Sequence, residues 1–158
     1  MKIAFGSDEK TPLTDFLLSE LRRRAIDIQL VGPLAGADLQ WVDVAQEVGE
    51  RVASGEADQG LLCCWTGTGV SMAANKIAGV RAALCADAET ARGARAWNQA
   101  NVLCFSLSKT SDIVAREILE AWFAAQPDPS EFANVEKLRE LDLVYRSEAP
   151  ARQRAGSG

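Results

Sequence analysis

Five short apolar runs punctuate the chain: KIAFGS (residues 2–7), DIQLVG (27–32), GLLCC (60–64), RAALCA (81–86) and NVLCFS (101–106). They read as strands, and the amphipathic stretches between them read as helices. That alternation predicts an α/β chain whose parallel sheet is covered on both faces. The first helix is well signalled, because Thr11 can cap it, Pro12 suits its first turn, and Leu13, Leu17 and Leu21 recur at i+4. Trp41, Ala45, Val48 and Val52 form a second stripe and Val114, Ile118 and Trp122 a third, both expected to pack into the core. Pro127 and Pro129 break the last long helix, after which Val135, Leu138 and Leu141 predict one more short helix, on the parent domain or on a neighbouring subunit. Residues 1–145 are thus expected to form one domain, with 126–145 as a helical extension. Residues 146–158 lack apolar periodicity and are expected to be disordered.

Composition narrows the possibilities. A chain of 158 residues, 47% apolar and 25% charged, is the size of one ordinary domain with one hydrophobic core. No apolar run approaches the roughly 18 residues of a membrane span, and the start enters a strand pattern without a signal peptide, so a cytoplasmic protein is expected. The net charge of −5 argues against nucleic acid as a partner. There is no histidine, which excludes a histidine-ligated metal, a Ser-His-Asp triad and a Cys-His dyad. The four cysteines, at 63, 64, 85 and 104, sit in strand-like runs and are not spaced as a zinc site, so no metal is expected. Proton transfer is left to Cys, Asp, Glu, Lys, Tyr or water.

The segment LLCCWTGTGVSMAANK, residues 61–76, is the most informative. In open parallel sheets ligands sit beyond the carboxyl ends of the strands. Asp8, Cys64, Asp87 and Ser106 should therefore share one rim. Glycines at 67 and 69 permit a sharp turn into a helix, and the amides so exposed can cradle a phosphate, stabilise an oxyanion or simply close a tight turn. A thiol at a helix N-terminus is favoured as thiolate, which makes it a base or a nucleophile. Cys63 and Cys64 must face opposite sides of the sheet, and Cys64 is the one entering the turn.

The stretches KIAFGSD, ASGEADQGLLC, TGTGVSMAANKIAGVRAALC, TAR and NQANVL, in this order over residues 1 to about 125, closely resemble the ribose-5-phosphate isomerase B and galactose-6-phosphate isomerase family. The resemblance implies a Rossmann-like three-layer α/β/α fold with a five-stranded parallel sheet. It also implies a homodimer, with a tetramer as the alternative, whose active sites draw residues from both subunits. The implied reaction is aldose–ketose isomerisation of a sugar or sugar phosphate through an enediolate, without a cofactor. By the same resemblance Cys64 takes the place of the catalytic base, Thr66 that of a threonine assisting proton transfer between oxygens, and Gly67, Thr68 and Gly69 that of the amides holding the enediolate. Asp8 is retained in the first-strand motif.

Departures from the family pattern point to a shifted substrate. Glu9 stands where the family has a histidine, and in WNQAN Trp97 stands where it has the histidine that opens the sugar ring, with Asn98 beside it. The arginine expected after the fifth strand falls on Ser108, and those of the C-terminal segment fall near Ser130 and Asn134. Trp41 takes the place of an aromatic before the second helix, and Trp65 that of a glycine beside the thiol. Three tryptophans therefore map near one pocket, as space fillers or as a stacking surface for a sugar. Two other functions stay open: a non-catalytic sugar or metabolite-binding protein that kept the amide turn, and an epimerase using the same enediolate.

Overall fold

The computed structural model describes residues 1–148, with side chains to residue 145. Five parallel strands, β1 (Lys2–Ser7), β2 (Asp27–Val31), β3 (Gln59–Cys64), β4 (Ala82–Leu84) and β5 (Val102–Ser106), form one sheet in the order β2-β1-β3-β5-β4. Six α-helices surround it: α1 (Pro12–Arg23), α2 (Trp41–Ala53), α3 (Thr68–Ala74), α4 (Ala88–Asn98), α5 (Asp112–Ala124) and α6 (Phe132–Glu148). The expected three-layer α/β/α architecture is what folds.

Strand alternation divides the core in two. Ile3, Phe5, Leu61, Cys63, Leu103 and Phe105 face α1, α4 and α5, while Ala4, Leu62, Cys64, Val102 and Cys104 face α2 and α3. All four cysteines are buried and free. The N-terminus of α1 is fixed by a reciprocal cap: Thr14 N–H donates to Thr11 Oγ1 at 3.3 Å and Thr11 N–H to Thr14 Oγ1 at 2.9 Å. Leu13, Leu17 and Leu21 then enter the core as their spacing predicts.

Strand order places the site. From β1 the chain leaves through α1 on one face to the outer strand β2, and from β3 it leaves through α3 on the other face. The connections diverge above the carboxyl ends of these neighbouring strands and leave a crevice there. Asp8 emerges from β1 and Cys64 ends β3 at this crevice, with Ser7 and Cys63 in register one residue earlier.

Two sequence expectations need correction. Trp41 does not join the core stripe of α2: Ala45, Val48 and Val52 are buried, but Trp41 is 42% exposed. It is the first residue of the helix and projects beyond the sheet's edge over Gly69. The last helix is not short but 17 residues long, and of its apolar stripe only Val135 is buried, Leu138 and Leu141 remaining over 40% exposed. It continues to Glu148, so backbone helix covers the start of the stretch expected to be disordered; residues 149–158 lie outside the described part. Among the described residues no helix is long and apolar enough to cross a membrane.

One buried charge makes the fold acid-sensitive. The Glu20 carboxylate accepts from Arg23 at 2.6 Å and Arg24 at 2.7 Å, with Arg116 at 3.6 Å. The hydrogen bonds from Arg24 and Arg23 outweigh burial and hold its pKa down to about 2, from 4.5. A depressed carboxylate stabilises the fold above its unfolded pKa and loses that contribution as pH falls through the folded value. Urea unfolding of Glu20→Gln is therefore expected to show reduced stability near neutrality and a flatter decline between pH 4.5 and about 2 than the parent chain.

Candidate active site

The turn from β3 into α3 is built by backbone constraints. Gly67 adopts φ 74°, ψ −14°, the left-handed conformation that side chains resist. Its N–H donates to the Cys64 carbonyl at 3.1 Å, and the same carbonyl accepts from Leu107 N–H at 3.0 Å. The Trp65 carbonyl accepts from Ser108 N–H and from the Ser106 hydroxyl, each at 3.0 Å. The loop after β5 thus clamps the loop after β3. The first helical bond of α3 runs from Ser71 N–H to Gly67 C=O, which leaves the amides of Thr68, Gly69 and Val70 without an acceptor inside the helix.

Thr68 and Gly69 border a cavity of about 250 Å³ that is also lined by Asp8, Trp41, Cys64, Trp65 and Thr66. Seven of the sequence-derived candidates therefore meet in one place, with Gly67 forming the turn beneath them. The Trp41 indole lies so close over Gly69 that a Cβ there would stand 3.0 Å from the ring. The Thr66 and Thr68 hydroxyls are 2.7 Å apart and can pass a proton between them. Asp8 Oδ1 is buried and has no hydrogen-bond partner. Burial, and then the neighbouring Glu9 charge, raise the Asp8 pKa above the usual carboxylate value against the pull of a backbone hydrogen bond. An orphaned carboxylate oxygen beside a cavity suits a ligand hydroxyl.

The two adjacent thiols differ as the strand geometry requires. Cys63 is fully buried on the opposite face, where burial pushes its pKa well above the ordinary thiol value. Cys64 lines the cavity and is 6% exposed. Iodoacetamide is expected to modify Cys64 first; preferential labelling of Cys63 would reverse the assignment.

The remaining candidates lie elsewhere in the protomer. Glu9 is exposed, its amide donating to Ser7 Oγ at 3.3 Å. Trp97 and Asn98 border a separate groove of about 380 Å³ on α4, with Glu89, Thr90 and Gly93. Arg92 stacks on the Trp97 ring at 5.2 Å. Asp87, expected on the rim, caps α4 by accepting from Thr90 N–H at 2.7 Å. A second cavity of about 250 Å³ lies on the other side of Thr66, lined by Leu84, Cys85, Ser106, Ser108, Lys109 and Thr110 among others. Ser106, expected on the rim, and Ser108, which stands where the family has an arginine, therefore line this second cavity and not the Cys64 one.

The model of the Ribose/Galactose Isomerase family matches residues 3–141. The Arabidopsis thaliana DNA damage-repair/toleration protein DRT102 is 40% identical over 125 residues, which are 77% of this chain; the chain spans only 39% of that protein's length. D-erythrulose-4-phosphate isomerase 2 of Mycolicibacterium smegmatis is 35% identical over 136 residues, covering 82% of this chain and 88% of the relative. The solved structure of Clostridium thermocellum ribose-5-phosphate isomerase B superposes with a TM-score of 0.85 at 32% identity, over 92% of this chain and 99% of that one. Two of these three relatives carry the names of sugar-phosphate isomerases, and the match of the family model over nearly the whole described chain shows that the chain belongs to the Ribose/Galactose Isomerase family.

Proposed function

We propose that the protein is a cofactor-independent aldose–ketose isomerase whose substrate is a short, open-chain sugar phosphate. The observation that carries this reading is the convergence of the Cys64 thiol, the unpartnered Asp8 oxygen, the Thr66–Thr68 hydroxyl pair and the free amides of α3 on one cavity. Starting from the aldose, the Cys64 thiolate takes the proton from C2. The electron pair left behind forms the C1–C2 double bond, and the carbonyl oxygen becomes the oxyanion, which the amides of Thr68 and Gly69 stabilise. Thr66, paired with Thr68, transfers a proton from O2 to O1. The Cys64 thiol, whose proton exchanges with water while the enediolate persists, then delivers a proton to C1 as the C2 carbonyl forms. Asp8 accepts a hydrogen bond from a substrate hydroxyl.

Substrate length follows from what the chain lacks. With no histidine and an indole at position 97, no side chain matches the family's ring-opening group. A four-carbon sugar with phosphate on its terminal oxygen cannot close a furanose ring and needs no such group. The cavity volume of about 250 Å³ and the Mycolicibacterium relative that acts on erythrulose 4-phosphate favour the same class.

The working unit in this reading is a homodimer. Trp97 and Asn98, which do not reach the Cys64 cavity within a protomer, would close it from a second copy. Trp65 on the cavity wall and Met72 on α3, each at least 60% accessible, supply apolar surface for that contact. NMR of four- and five-carbon sugar phosphates incubated with the protein tests the proposal. Faster conversion of the tetrose than of the pentose phosphate is expected, and rapid turnover of ribose 5-phosphate alone would overturn the open-chain assignment.

A further inference from the structure

A cleft of about 380 Å³ opens between the start of β4 and α6, away from the Cys64 cavity, and is lined by Asn75, Arg81, Asn98, Arg139 and Asp142 among others. Arg81 is held rigidly in it. Its Nε donates to the Gln99 carbonyl at 2.9 Å, its Nη1 to the Gly79 carbonyl at 3.3 Å, and its backbone amide to Asn101 Oδ1 at 2.7 Å. Backbone carbonyls neutralise no charge, and among the described residues Arg81 forms no ion pair.

The second guanidinium, Arg139 on α6, borders the same cleft and pairs only with Glu136 on its own helix, at 3.0 Å and half exposed. Such a surface pair is weak and readily exchanged for a better acceptor. Burial, and next the Arg139 charge, depress the Arg81 pKa, with Asp142 opposing. Asp142 is itself engaged, its Oδ2 accepting from Gly79 N–H at 2.9 Å. Two guanidinium groups thus share one cleft with a single carboxylate, while an exposed side-chain amide, Asn98, borders it.

We propose that this cleft is an anion-binding site that takes a phosphate dianion between Arg81 and Arg139. With Nε and Nη1 engaged, Arg81 can still offer Nη2 to a phosphate oxygen, and a guanidinium held this rigidly loses little freedom on binding. The site does not depend on the chemistry assigned to Cys64. Its ligand is either the phosphate of the sugar substrate or a free phosphate acting as an effector.

Isothermal titration with inorganic phosphate, at constant ionic strength, tests the site in the full chain. Binding is expected, weakened roughly tenfold or more in Arg139→Gln, which removes one charge-assisted contact from the half-exposed partner. Arg81→Lys, with its fold checked by circular dichroism, is expected to weaken it too, and Cys64→Ser to leave it unchanged. Titration in the presence of saturating erythrose 4-phosphate separates the two sources: competition assigns the cleft to the substrate phosphate, and simultaneous binding assigns it to an effector. Absence of phosphate binding, or an affinity unchanged in Arg139→Gln, would overturn the proposal.

Discussion

Gly67→Ala is expected to destabilise the protein by more than about 2 kcal/mol, the largest stability loss from any single added methyl at the site. Two costs combine. The left-handed conformation at φ 74° penalises any side chain, by about 1–2 kcal/mol. The new Cβ would also stand 2.5 Å from Leu84 Cδ1 and 2.8 Å from the Phe105 carbonyl oxygen. Leu84 can move, but Phe105 is backbone of a strand buried between β3 and β4. Thermal melting is expected to fall by at least about 4 °C, at roughly 2–4 °C per kcal/mol for a chain of this size. Gly69→Ala is the informative contrast: the nearest neighbours of its Cβ would be atoms of the Trp41 ring, from 3.0 Å, and that ring can tilt. That variant should keep most of its stability and lose activity as the ring is pushed out over the cavity. Equal, small losses in both would show that the turn does not depend on the Gly67 conformation.

Cys64→Ala is expected to lower kcat/KM by about 10²–10⁴, the usual contribution of a positioned acid–base group, with little change in melting temperature. The thiol sits at the rim of the layer that α2 and α3 cover and borders the cavity, so its removal leaves a gap that opens into the cavity on one side. Cys63→Ala should show the reverse. It removes a fully buried group from the layer beneath α1, α4 and α5 and should cost stability while leaving the turnover of the folded fraction near normal. Steady-state kinetics and melting of the two variants together separate catalysis from packing. Parental activity in Cys64→Ala would eliminate the thiol as base.

The centre of the sheet was legible because β1, β3 and β5 are buried on both faces and read as largely apolar runs, as GLLCC does. The edge strand β4 is half-exposed and shrinks to Ala82–Leu84 within the longer run RAALCA. Periodicity identified α1 fully, yet it could not show that Trp41, at the start of α2, lies past the end of the sheet. Clustering of Asp8, Cys64 and the glycine turn followed from one rule about carboxyl ends of parallel strands. Ser106 needed more. Its hydroxyl clamps the Trp65 carbonyl because β5 lies beside β3, an adjacency that chain order, with β4 in between, conceals. Trp97 aligns with a site residue but lies on α4, in a groove apart from the Cys64 cavity, and nothing in the local sequence marks that separation.

The central claim is that Cys64 moves a carbon-bound proton, and isotope exchange in D₂O measures this most directly. Erythrose 4-phosphate and erythrulose 4-phosphate, incubated with the protein and followed by NMR, should interconvert and gain deuterium at the carbon that receives the returned proton. Cys64→Ser should abolish both interconversion and labelling while still binding the sugar phosphate. Deuterium entering at an undiminished rate in Cys64→Ser would contradict the account, as would binding by the parent chain without any exchange.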